Sequence, residues 1–216
     1  MTQSTNQPTT LLLVRHGETD ANVSGVWQGS TNSALNARGQ VQARAIAARL
    51  AANNPPLVAI YSSPLDRAAQ TAKIIAQAVG NPPLEFTPAL AEFDLGEWEG
   101  LTYEQLRHEK RLWEKMNVDP NFAPPGGESA VEFAMRLVRS FQAIAARHQG
   151  QTVLIVSHGG AISTALAMII DQDGTRWTSY QMANCALSEL AFDPAPRLVR
   201  LNDIEHIDGI GALGEW

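Results

Sequence analysis

The sequence predicts an α/β fold, a three-layer α/β/α sandwich around a mostly parallel central sheet. Three observations carry that expectation. Short apolar runs alternate with amphipathic helical stretches along the whole chain. Two of the runs, Leu11-Leu12-Leu13-Val14 and Val153-Leu154-Ile155-Val156, are continuously aliphatic, as strands covered on both faces are. Both then turn abruptly polar and reach a His-Gly pair, in Arg15-His16-Gly17-Glu18-Thr19 and in Ser157-His158-Gly159-Gly160. Ligands of open parallel sheets bind beyond the carboxyl ends of the strands, so two such ends can aim two imidazoles into one crevice.

The elements follow in order. Met1 to Thr10 is polar, without a basic cluster or an apolar core, and reads as a mobile tail rather than a leader. The first strand is followed by a long Gly/Asn/Ser-rich loop, Asp20 to Asn36, of a length that is often functional. Ala37 to Ala52 reads as a helix with a stripe of Val41, Ala45, Ala48 and Ala52, Ile46 and Leu50 beside it, stopped by Asn53-Asn54-Pro55-Pro56. Leu57 to Tyr61 is the next strand. Ser63 fits an N-cap, Pro64 the first helical position and Asp66 the acidic first turn, which places Arg67 in the first turn of a helix running to Val79.

Leu84 to Phe86 is a third short strand. Thr102 with Gln105 forms a capping box that opens a helix to Lys115, and Pro120, Pro124, Pro125, Gly126 and Gly127 break the chain after it. A second box, Ser129 with Glu132, opens a helix to His148 with Val131, Met135, Val138, Phe141 and Ala145 on its buried face. After the strand leading to His158, Gly160 to Ile170 reads as helical. Ala186 to Phe192 and Arg197 to Leu201 pair as closing strands across Asp193-Pro194, and the Gly-rich last ten residues are loose. The whole, 1–216, reads as a single domain with 101–127 as a cap insertion.

Composition bounds the function. The chain is 44% hydrophobic and 18% charged, ordinary for a globular domain. A net charge of -6 argues against nucleic acid as the main partner. The longest apolar run, Ala161 to Ile170, is about half of what a membrane span needs. The single cysteine, Cys185, rules out an intrachain disulfide and fits a cytoplasmic setting as a buried, inert thiol.

Gly209 to Gly214 spells G-x-G-x-x-G, but Glu215 and Trp216 are all that follow, too few for the helix a dinucleotide site requires. A metal site built on His16, His158, Glu92 and Asp94 conflicts with Arg15 next to His16 and with Arg67 at the same sheet edge, since guanidinium groups repel a cation. Two arginines, two imidazoles and two helix N-termini make a receptor for an anion of phosphate size. His108 and His148 fall in charged helices and read as solvated, and His206 takes no role.

These residues resemble the signature of the histidine phosphatase superfamily, which includes the cofactor-dependent phosphoglycerate mutases and their phosphoglycerate mutase-like fold. Arg15-His16-Gly17-Glu18-Thr19 is similar to its R-H-G-E/Q-T/S motif. Asn22, Ser62-Ser63-Pro64 with Arg67, Glu92 before Gly96, Gly126-Gly127-Glu128-Ser129 and Ser157-His158-Gly159-Gly160 extend the likeness along nearly the whole chain. The resemblance implies His16 as nucleophile, Arg15, Arg67 and His158 around the phosphoryl group, Asn22 on a phosphoryl oxygen and Glu92 as proton donor. Gln28 and Gly159 join the expected substrate contacts, and neither cofactor nor metal is implied.

The segment Glu92 to Gly100 looks like the phosphatase branch, with its α-ribazole phosphatase-like and broad-specificity members. Mutases more often carry E-R-x-Y-G there, where this chain has Phe93. The expected activity is metal-independent hydrolysis of a small phosphorylated metabolite through a phosphohistidine. Mutase-type transfer and non-catalytic binding of a phospho-ligand are the alternatives. Neither nucleic acid nor membrane is an expected partner, and a homodimer remains open.

Overall fold

The computed structural model describes residues 7–53, 55–193 and 195–210. Six strands form one mixed sheet in the order β3-β2-β4-β1-β5-β6. β1 (Thr9–Arg15) lies inside it, parallel to β4 (Thr152–Ser157) and antiparallel to β5 (Leu187–Asp193). β2 (Leu57–Ser62) and β3 (Leu84–Phe86) extend the parallel side, and β6 (Ala195–Asp203) closes the other edge as an antiparallel hairpin with β5.

Side chains alternate across a strand, and both faces of β1 are apolar, so both must be covered. Leu12 and Val14 face α2 (Ala37–Asn53) and α3 (Asp66–Ala78), in a core with Ile46, Leu50 and Ile75. Leu11 and Leu13 face the other way, into a core with Leu137 and Phe141 of α5 (Ala130–Arg147) and Ile162 of α6 (Gly159–Leu166). No helix of the described residues is long and apolar enough to cross a membrane.

Several local expectations are corrected. Thr9 and Thr10 belong to β1 rather than to a tail, and Met1 to Asn6 lie outside the described residues. The loop after β1 contains a short helix, α1 (Asp20–Ser24), with Thr19 as its N-cap in a capping box with Asn22. α2 buries Gln42, Ala43, Ile46, Ala47 and Leu50, while Val41 of the expected stripe is 41% exposed.

Ser63 does not cap α3. The helix begins at Asp66, whose N–H donates to Asn32 Oδ1 at 2.7 Å, and the Ser63 hydroxyl turns to His158. The expected cap helix forms its Thr102–Gln105 box but breaks at Arg111, in left-handed backbone, before α4 (Leu112–Val118). α5 buries Phe133, Ala134, Leu137 and Ile144 with Phe141 and Ala145, and Met135 is 44% exposed. His148 is half-buried and shares a 2.8 Å hydrogen bond with Tyr61. Beyond Ile210 the G-x-G-x-x-G stretch lies outside the described residues.

Candidate active site

The β1–β4 register sets Arg15 opposite Ser157, so the two strand ends finish level. His16 continues that pairing through its N–H to the Ser157 carbonyl at 2.9 Å. The His16 and His158 rings then meet edge to face, with centroids 5.2 Å apart. Above them opens a cleft of about 540 Å³, walled by Arg15, His16, Asn22, Gln28, Glu92 and Gly159 among others.

His16 Nδ1 lies 2.7 Å from the Gly17 carbonyl, which can only accept, so Nδ1 carries the proton and Nε2 is left bare. Burial first, then the Arg67 and Arg15 charges, hold this imidazole well below the usual histidine range. It is neutral at physiological pH, as a nitrogen nucleophile must be. The same burial lowers Arg15 and Arg67 to about 10, which leaves both charged.

Arg15 and Arg67 are placed differently. Arg15 lines the cleft and donates through Nη1 to the Met182 carbonyl at 2.6 Å. Arg67 is fully buried behind the wall, donating to the Thr31 and Gly29 carbonyls at 2.8 Å and to His158 Nδ1 at 3.2 Å. His158 must therefore carry its proton on Nε2, which donates to Ser63 Oγ at 2.8 Å. Burial and Arg67 keep His158, too, well below the usual range.

Glu92 closes the opposite side. One carboxylate oxygen accepts the Phe93 N–H and the other the Gly160 N–H, both at 2.9 Å. Those bonds, with Arg67 and Arg15, favour the anion, yet burial outweighs them and its pKa is raised. A β-carbon at Gly160 would come within 2.6 Å of this carboxylate, so the close approach requires glycine.

Asn22 is aimed by its surroundings. Its Oδ1 accepts from the Thr19 N–H at 3.1 Å and from Asn184 Nδ2 at 3.4 Å, which turns the amide nitrogen toward the cleft. Gln28 is fixed as well, with Oε1 accepting from Thr19 Oγ1 at 2.8 Å and Nε2 donating to Ser33 Oγ at 2.5 Å.

Three contributors have no signal in local sequence. Asn184, fully buried, also donates to the His16 carbonyl at 3.0 Å, and its own Oδ1 has no hydrogen-bond partner among the described residues. Cys185, in left-handed backbone, donates its N–H to the Arg15 carbonyl at 2.9 Å. Burial pushes its thiol up, in keeping with an inert role.

The third is Glu99. It accepts the Gly29, Ser30 and Thr31 N–H groups at 3.2, 2.8 and 3.2 Å. The loop carbonyls hold Arg67 while its amides hold Glu99, and a β-carbon at Gly29 would collide with that carboxylate. Trp177, unremarked in the sequence, lines the cleft beside Trp27, whereas Trp98 is core, packed on Phe122.

Comparison with known proteins agrees with this geometry. The profile of the histidine phosphatase superfamily (branch 1) matches residues 11–204. A probable phosphoglycerate mutase GpmB of Proteus mirabilis is 33% identical over 94% of this chain and 96% of its own length. A metal-independent phosphoserine phosphatase of Arabidopsis thaliana is 32% identical over 96% and 87%. Among solved structures, a putative alpha-ribazole-5'-P phosphatase of Escherichia coli superposes with a TM-score of 0.77 at 27% identity, over 90% of this chain and 96% of that one. The likeness thus spans sequence and fold from the first strand to the last, and the chain belongs to branch 1 of the histidine phosphatase superfamily.

Proposed function

We propose that the chain is a metal-independent phosphomonoesterase acting through a phosphohistidine at His16. The observation that carries this reading is the bare Nε2 of a neutral His16 sharing one cleft with Arg15 and a carboxyl raised by burial. In the first step Nε2 attacks phosphorus, the P–O bond to the leaving group breaks, and Glu92 gives its proton to the departing oxygen. In the second, water attacks phosphorus, Glu92 takes a proton from it, and the P–N bond breaks to release inorganic phosphate.

Arg15 and the Asn22 amide nitrogen bind the phosphoryl oxygens, with Gly159 at the N-terminus of α6 beside them. Arg67 completes the positive field from behind, held by the neutral His158 ring, and stays fixed as charge develops. Gln28 shapes the rim.

The rival is mutase-type transfer, the activity in the name of one relative. It requires cations for a second anionic group, and the cap bases lie away from the cleft. Arg111 pairs with Glu114, Lys115 lies over the Trp98 ring, and none of Arg107, Lys110, Arg111 and Lys115 lines the cleft. The acidic residues after Glu92 are no barrier there either, since Asp94 and Glu99 bind the loop and Glu97 is exposed.

The test assays phosphate release from p-nitrophenyl phosphate in excess chelator, beside isomerisation of 3-phosphoglycerate primed with 2,3-bisphosphoglycerate. Sustained release with no isomerisation is expected. Isomerisation outpacing release would overturn the assignment, and release abolished by the chelator would end its metal-independent part.

A further inference from the structure

The cleft continues past Glu92 into a second chamber of about 620 Å³. The two spaces share Trp27, Glu92, Gly160 and Trp177, so the chamber begins where the leaving oxygen must sit to receive a proton from Glu92. Beyond that shared wall it is mostly apolar, with Thr164 the exception. Phe93, Leu112, Trp113, Met116 and Phe133 line it, and among the described residues Glu92 is the one ionisable group in its lining.

The aromatic wall is assembled from separate segments. Trp27 of the first loop stands edge to face with Trp113 of α4, centroids 5.4 Å apart, and with Trp177 at 6.4 Å. Tyr103 stacks behind Trp27 at 5.9 Å. The loop is tied to the cap by hydrogen bonds from Trp27 N–H to the Leu101 carbonyl and from Tyr103 N–H to the Gly25 carbonyl, both at 3.0 Å. These contacts hold the chamber open in a defined shape.

We propose that the physiological substrate is a phosphomonoester with an uncharged, largely apolar leaving group carrying a flat ring, seated among Trp27, Trp113 and Trp177. A carboxylate placed there would lose its water and find no cation among the lining residues. Flat apolar groups recover burial energy and ring contacts instead. The chamber therefore disfavours phosphoserine, the substrate in a relative's name, and 3-phosphoglycerate. The inference rests on the phosphatase reading above.

The test compares kcat/KM for 2-phenylethyl phosphate, O-phospho-L-serine and 3-phosphoglycerate, with p-nitrophenyl phosphate as the reporter of hydrolysis itself. Phenylethanol is a poorer leaving group than the serine hydroxyl, so intrinsic reactivity works against the expected order. An advantage of about 100-fold for 2-phenylethyl phosphate over both carboxylated esters is expected. Trp113→Ala should cut kcat/KM for 2-phenylethyl phosphate by about 10-fold, and more than for the carboxylated esters. Met116→Lys, which places a cation in the chamber, should raise 3-phosphoglycerate relative to 2-phenylethyl phosphate by roughly 5-fold. Equal or better use of the carboxylated esters by the wild type, with p-nitrophenyl phosphate hydrolysed, overturns the inference and leaves the phosphatase standing. No hydrolysis of any ester defeats the phosphatase reading itself.

Discussion

The two ionisations at the centre of the site are moved in opposite directions by the same burial. His16 is lowered, so the nucleophile is lost only as pH falls through that depressed value. Glu92 is raised, so the proton donor is present below its raised value and lost as pH climbs through it. The productive pair is neutral His16 with protonated Glu92, so kcat/KM for an alkyl phosphate should be bell-shaped, with His16 setting the acid limb and Glu92 the alkaline limb. Glu92→Gln should erase the alkaline limb attributable to the enzyme and slow alkyl phosphates about 100-fold or more, while p-nitrophenyl phosphate, whose leaving group scarcely needs a proton, loses far less. The ionisation of the substrate's own phosphate is common to both proteins and cancels in their ratio. An unchanged alkaline limb, or equal losses on both esters, would move the acid to another residue.

At the scale of elements, what was legible depended on how locally a residue is determined. The two strand-His-Gly units are set by contiguous residues, and both strand ends with their histidines were readable from them. The capping boxes at Thr102 and Ser129 were readable for the same reason. Helix faces were not. In α2 the alanines offer several stripes of nearly equal burial energy, and the larger Ile46 and Leu50 decide which one turns inward. In α5 the stripe of Phe133, Leu137, Phe141 and Ile144 outcompetes the thinner one through Val131 and Met135. Asn184 and Glu99 escaped because their partners lie far away in sequence, at His16 and at Gly29 to Thr31. The Glu99 clamp carries its own test. Glu99→Gln removes the charge from several hydrogen bonds, costing about 2 kcal/mol, a fall of about 4–8 °C in Tm for a chain of this size. By loosening the loop that holds Arg67 it should also weaken competitive inhibition by inorganic phosphate. A Tm and a phosphate inhibition constant both unmoved would reduce the clamp to a surface contact.

Over the whole molecule, the sheet brings two distant strand ends level, and helices on both faces leave the cleft open above them. Local chemistry on either strand alone would be inert. His16 owes its tautomer to Gly17, its neutrality to burial beside Arg67 and Arg15, and its aim partly to Asn184 and the β4 backbone. The mechanism requires that imidazole to carry the phosphoryl group. The most direct measurement is rapid quenching of the enzyme during turnover of phosphorus-labelled p-nitrophenyl phosphate, followed by mapping of the label. Acid-labile, base-stable label is expected on His16, formed and lost as fast as the enzyme turns over and absent from His16→Ala together with activity. Label on another residue, or full activity in His16→Ala, would contradict it.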